Sequence, residues 1–187
     1  MSHVHFIGAG QMAEAIIRAA IHRDAVDAGE ITLSDIDPQR ITTLRSRYQL
    51  TSSLDTQAAL GRADIIVMGV RPQDDIAAVA KLICQYAAPQ ATVVSIIAGV
   101  TLATLTALLG QERPIVRMIP NTLTDTGLGY SGVVCNALVD TGPLLPFLES
   151  FGKVMMLEER LIDDRSGDAH RYAAEAEIGL ADRKSVV

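Results

Sequence analysis

The stretch Phe6-Ile7-Gly8-Ala9-Gly10-Gln11-Met12-Ala13 constrains this chain more than any other. A short apolar run, Val4 to Ile7, ends in two glycines spaced two apart. From Met12 onward, apolar residues recur at Ala15, Ile16, Ala19 and Ala20, one stripe of an amphipathic helix. In a strand that turns into a helix this way, Gly8 permits the tight turn. Gly10 lets backbone approach a pyrophosphate, and Ala13 allows close helix-to-strand packing where a third glycine often stands. The helix N-terminus offers free N–H groups and partial positive charge to phosphates. Alone the pattern is weak. Inside a βαβ unit it points to dinucleotide binding, against the competing reading of an ordinary glycine turn in a flavodoxin-like sheet.

The following residues supply that context. Ile31-Thr32-Leu33-Ser34 reads as the second strand, and Asp37-Pro38 as a helix cap followed by proline at the first helical position, with the helix ending near Arg47. A short strand over 50–52 and a short helix over 55–60 come next. Residues 64–70 form a continuous apolar strand, as inside a sheet covered on both faces. Arg71-Pro72 breaks it, and helices over 73–87 and 101–109 flank a strand over 91–97. A strand over 115–119 follows. This alternation predicts an α/β, Rossmann-type doubly wound, mostly parallel sheet. A loop over 121–129, a strand over 131–135, a helix over 142–151 and a strand over 153–157 complete a dinucleotide-binding domain at 1–162. Residues 163–187 are polar and charged, with one alanine-faced helix at 172–178 that would bury little. They read as an atypical tail, disordered or out of frame.

Strand ends place the site candidates. Asp35, after the second strand, would accept hydrogen bonds from the adenosine ribose hydroxyls and repel a 2′-phosphate. Asp37 fits a helix cap better than a ribose ligand. Arg40 would reach a 2′-phosphate only from beside two carboxylates, so the local charge favours NAD over NADP. In such a sheet the later strands end at the cofactor crevice. Val70-Arg71-Pro72, Ile97-Ala98-Gly99 and Ile119-Pro120-Asn121 therefore become its lining loops. Asn121 carries a donor and an acceptor, which suits a carboxamide or a structural turn.

Composition narrows the function further. A net charge of −6 without any basic run argues against a nucleic-acid partner. No apolar run approaches the ~20 residues of a membrane helix, and the first residues lack a signal peptide's basic region. A cytoplasmic protein that does not bind membranes is expected. Cys84 and Cys135 each sit in apolar runs and read as buried free thiols. His3 and His5 read as a strand-edge pair, and no histidine has metal-ligand spacing. There is no Ser–His–Asp set and no His–carboxylate pair in the sheet, so no catalytic residue is assigned. That fits an enzyme whose cofactor supplies the chemistry, and equally a binding module without catalysis.

Four segments together resemble the pyrroline-5-carboxylate reductases: Gly8-Ala9-Gly10-Gln11-Met12-Ala13-Glu14-Ala15, Val70-Arg71-Pro72-Gln73, Ser95-Ile96-Ile97-Ala98-Gly99-Val100 and Arg117-Met118-Ile119-Pro120-Asn121-Thr122. The resemblance spans roughly residues 1 to 162. It implies NAD(P)H-dependent reduction of the cyclic imine 1-pyrroline-5-carboxylate to proline, in proline biosynthesis. It implies that Gly8, Gly10, Gln11 and Met12 hold the pyrophosphate. Val70, Arg71 and Pro72 would lie along the ribose and nicotinamide, with arginine where the family usually has lysine. Ala98, Gly99 and Asn121 would face the nicotinamide. Asp35-Ile36-Asp37 departs from the polar or basic segment that accepts NADP, and Leu123-Thr124 from the usual proline-alanine. Family members continue into a helical domain that forms the homo-oligomer and holds the substrate, and residues 163–187 do not resemble it. The expected chain is therefore a truncated, impaired reductase, with a non-catalytic module of the same family as the alternative. A β-hydroxyacid dehydrogenase or coenzyme-F420-dependent relative fits the sheet, but the segment from Arg117 to Thr122 argues against it.

Overall fold

The computed structural model describes residues 2–51, 55–120 and 129–162. Seven strands form one sheet in the order β2-β1-β3-β4-β5-β6-β7: β1 Val4–Ile7, β2 Ile31–Ser34, β3 Ile65–Met68, β4 Thr92–Ser95, β5 Ile115–Pro120, β6 Gly129–Cys135 and β7 Gly152–Met156. The first five are mutually parallel. β6 runs antiparallel to β5, and β7 parallel to β6. The mostly parallel, doubly wound α/β sheet read from the sequence is the observed one. Strands β1 and β3 are buried throughout, which is why β3 is a continuous apolar run and β1 is apolar at every position but His5.

Helices cover both faces: α1 Gln11–His22, α2 Pro38–Tyr48, α3 Thr56–Arg62, α4 Ile76–Tyr86, α5 Leu102–Leu109, α6 Thr141–Glu149 and the single turn α7 Glu159–Ile162. One core packs Phe6, Val67, Val94 and Met118 against Ile16, Ile17, Leu44 and Phe147. The other packs Ile7, Ile66, Val93 and Ile115 against Leu60, Ile83 and Leu105. Strand alternation divides the side chains between the two layers.

Several boundaries differ from the sequence reading for visible reasons. α4 begins at Ile76 rather than near Gln73, because Arg71 and Asp74 pair in the preceding turn and Asp75 caps the helix by accepting from Ala78 N–H (2.9 Å). Leu50 and Thr51 do not extend into a strand. Gln49 takes a left-handed conformation (φ 54°) that ends α2, and Leu50 N–H bonds back to Arg45. The strand expected over 50–52 therefore does not form at those two residues. Ser52, Asn121 and the helix expected over 172–178 lie outside the described residues.

His5 is not at a strand edge. β1 lies between β2 and β3, and its imidazole is fully buried, with Nδ1 2.8 Å from Thr32 Oγ1 and Nε2 3.1 Å from Ser34 Oγ. Cys84 is exposed, not buried. The buried stripe of α4 runs through Ala80 and Ile83, and Cys84 sits beside it, its thiol 3.5 Å from the Leu109 carbonyl at the end of α5. Cys135 is half-buried, and burial pushes its thiol pKa up.

Candidate nucleotide site

The parallel strands β1 to β4 all end at one edge of the sheet. The connection from β1 leads outward to β2, whereas β3 and the strands after it lie on the other side of β1. The crevice at such a switch point is where open α/β sheets bind ligands. The Gly8 turn is at that point. Gly8 has φ +95°, and a Cβ there would lie 2.7 Å from the Gly69 carbonyl group at the end of β3. Two hydrogen bonds tie the turn to its neighbours, from Gly8 N–H to Ser34 O (2.8 Å) and from Gly69 N–H to Ile7 O (2.8 Å).

Gly10 precedes α1 with no side-chain cap, and the first bond within the helix is Glu14 N–H to Gly10 O (3.0 Å). The N–H groups of Gln11, Met12 and Ala13 therefore have no partner within the helix. In contrast, Asp37, Asp55, Asp75, Thr101 and Asp140 cap α2 to α6 with their side chains. Nothing lies within 4 Å of a Cβ built on Gly10, so the space before the uncapped amides is open. Ala13 is buried in the core, as close helix-to-strand packing requires.

A charged network braces the turn. Asp35 Oδ2 accepts the Ala9 N–H (2.6 Å) while its Oδ1 accepts the Asp37 N–H (2.8 Å). Arg40 donates through Nε to the Ala9 carbonyl (2.6 Å) and through Nη2 to Glu14 (2.5 Å). The Ala9 peptide is thus held on both sides. Glu14 also accepts from Arg47 (2.5 Å) and Tyr48 (2.9 Å). Burial alone would raise the Glu14 pKa, but the hydrogen bonds from Arg40, Tyr48 and Arg47 outweigh it and hold the carboxyl below its usual range. Asp37 is the cap of α2, accepting from Gln39 N–H (2.9 Å).

The remaining candidates follow β3 and β4. Val70 is half-buried, and Arg71 and Pro72 are exposed. Asp74 holds the Arg71 guanidinium (2.9 Å) and accepts its backbone N–H (2.8 Å), which lowers the Asp74 pKa and raises that of Arg71. Ala98 and Gly99 are exposed on the segment between β4 and α5, with Gly99 at φ +76°. Sequence reasoning missed the double clamp on Ala9, since no spacing rule joins Asp35, Arg40 and Glu14. Among the described residues no group of histidine, cysteine and carboxylate side chains is arranged to hold a metal ion, and no helix is long and apolar enough to cross a membrane.

Residues 3–99 match the family model described as NADP oxidoreductase, coenzyme F420-dependent. Pyrroline-5-carboxylate reductase of Escherichia coli is 33% identical over 162 residues, 85% of this chain and 60% of that one. That of Synechocystis is 30% identical over 182 residues, 94% of this chain and 67% of that one. The chain belongs to the pyrroline-5-carboxylate reductase family. It spans about 60% of the length of the E. coli relative. A reductase structure from Coxiella burnetii superposes with a TM-score of 0.79 at 24% identity, covering 100% of this chain and 72% of that one. The Plasmodium falciparum enzyme with NADP bound gives 0.76 at 22%, covering 98% and 69%. At those identities the structural likenesses speak for the fold. The matched model ends before β5, so it leaves out the segment from Arg117 to Thr122.

Proposed function

We propose that this chain binds NAD(P)H at the edge where β1 to β4 end, and that it serves the reduction of 1-pyrroline-5-carboxylate to proline in the cytoplasm. Residues 1–162 form the binding domain in this reading. The observation that carries it is the open cradle at Gly10, facing three N–H groups that no side chain caps. The amides of Gln11 and Met12 would hold the pyrophosphate, helped by the helix dipole. Each Asp35 oxygen has accepted one bond and keeps a lone pair for a ribose hydroxyl. Val70, Arg71 and Pro72 on one side, and Ala98, Gly99 and Asn121 on the other, would enclose the nicotinamide end.

The bound dinucleotide, when reduced, supplies a hydride to the imine carbon. The chain's part is to orient the ring and keep it in register. A protonated imine is already a strong electrophile, so backbone amides and a placed hydroxyl suffice without a strong acid. NAD is favoured over NADP because Asp35 would repel a 2′-phosphate and Arg40 is already engaged by Ala9 and Glu14.

Titration of the purified chain with NADH and NADPH, followed by the imine assay on the same sample, tests this reading. Saturable binding, tighter for NADH, is expected, with imine turnover impaired relative to the longer reductases. Absence of binding by either nucleotide refutes the cradle. Binding without turnover reduces the function to that of a dinucleotide-binding module.

A further inference from the structure

Arg117 is the largest fully buried side chain among the described residues. It stands on β5 opposite Ser95 of β4, and its Nη1 lies 3.4 Å from Oε1 of Glu159, the first residue of α7. The same oxygen accepts the N–H of Leu102, the first residue of α5. A single carboxylate on α7 thus joins α5 and β5, elements that lie 57 and 42 residues earlier at the bonded positions. Its charge is matched by a buried guanidinium on one side and a helix N-terminus on the other.

The segment over 96–101 runs from β4 to this anchored amide and carries the exposed Ala98 and Gly99. Nothing lies within 4 Å of a Cβ built on Gly99, so Ala98 and Gly99 make an exposed tip between Ile97 and Val100, both buried in the second core. Beyond those two residues its ends are held by hydrogen bonds, from Ile96 N–H to Met68 O (3.0 Å) and from Leu102 N–H to Glu159.

We infer that Glu159 is a positioning residue for the nicotinamide end of the crevice: seated on Arg117, it fixes the Leu102 amide and thereby the placement of Ala98 and Gly99. The inference rests on the reading of Ala98 and Gly99 as nicotinamide neighbours. Glu159 touches neither nucleotide nor substrate in this arrangement and acts only through the Leu102 amide.

The test compares NADH with ADP-ribose, which has the adenosine, pyrophosphate and second ribose but no nicotinamide. Both are titrated calorimetrically into the full chain. Glu159→Ala is expected to weaken NADH about tenfold, the worth of a charge-assisted hydrogen bond, while ADP-ribose affinity stays unchanged. Glu159→Gln keeps an oxygen for the Leu102 amide and is expected to restore most of the NADH affinity. Leu102→Pro offers an independent route if Glu159→Ala does not fold. It deletes the N–H but leaves Arg117 and Glu159 in place, at a first helical position that accepts proline, after a Thr101 backbone that is already extended (φ −75°, ψ 159°). It should show the same selective loss for NADH. Equal losses for both ligands, or unchanged NADH affinity in Leu102→Pro, overturn the positioning role. A wild-type chain that binds neither ligand overturns the crevice reading and this inference with it. Wild-type binding of both with indifferent variants overturns the inference alone.

Discussion

Gly8 and Gly10 stand two residues apart and do different work. At Gly8 a side chain would meet the Gly69 backbone at 2.7 Å in a left-handed conformation, so its role belongs to folding. At Gly10 a side chain would meet nothing, so packing does not demand glycine there, and the proposed pyrophosphate would. Gly8→Ala should therefore lower stability by at least about 2 kcal/mol, read from the urea midpoint. Gly10→Val should keep the wild-type unfolding midpoint and lose nucleotide binding. Unchanged NADH affinity in Gly10→Val would remove the pyrophosphate from this position. His5 gives a second residue-scale prediction. Burial lowers its pKa to about 4 from 6.5. The unfolded chain then binds the proton that the folded one refuses between those values. Stability from this group is complete above pH 6.5 and falls as the pH drops towards 4, by about 3 kcal/mol in all. Urea midpoints measured across pH 4 to 7 should show that slope, and His5→Gln should flatten it. A slope that persists in His5→Gln assigns the titration elsewhere.

Among the elements, what the sequence made legible was whatever depends on near neighbours. The buried run Ile65-Ile66-Val67-Met68 reads as a strand because its covered faces demand apolar side chains at every position. The cap at Asp37 followed by Pro38 reads as a helix start because both act within one turn. Gly8 read as the tight turn between strand and helix for the same reason. Contacts between elements were not legible: the reversal of β6 against β5, the Arg117–Glu159 pair 42 residues apart, and the Glu14 network joining α1 to α2. His5 was misread because alternation does not say whether a strand lies at the edge or inside the sheet. The Glu14 network carries a prediction of its own. Glu14→Ala removes the acceptor for Arg40, Arg47 and Tyr48 and should cost about 2 kcal/mol in urea unfolding. Arg47→Ala should cost far less, because the Arg47 side chain is 56% exposed and water screens its pair. Equal costs for the two would mean that Glu14 does not brace α1 against α2.

The whole molecule links these scales through the strand order. The crevice lies between β1 and β3, and its walls come from the turn after β1, the Asp35 end of β2 and the segments after β3 and β4. A dinucleotide lying there would touch both sides of the switch point, and with them elements packed into both hydrophobic layers. Binding should therefore stabilise the sheet as one unit rather than tighten a single loop. At a free NADH concentration of one hundred times Kd the linkage contributes about 2.7 kcal/mol. For a chain of this size that corresponds to a rise of about 5–10 °C in Tm. Thermal melts followed by circular dichroism at increasing NADH should show one transition moving upward with the logarithm of ligand concentration. Gly10→Val, whose Tm without nucleotide should match wild type, should not move at all. A wild-type transition that stays put at saturating NADH and NADPH would mean that the switch point is structurally a dinucleotide crevice but does not function as one. If instead only part of the transition moves, β6 and β7, which run against the first five strands, unfold apart from the nucleotide-binding sheet.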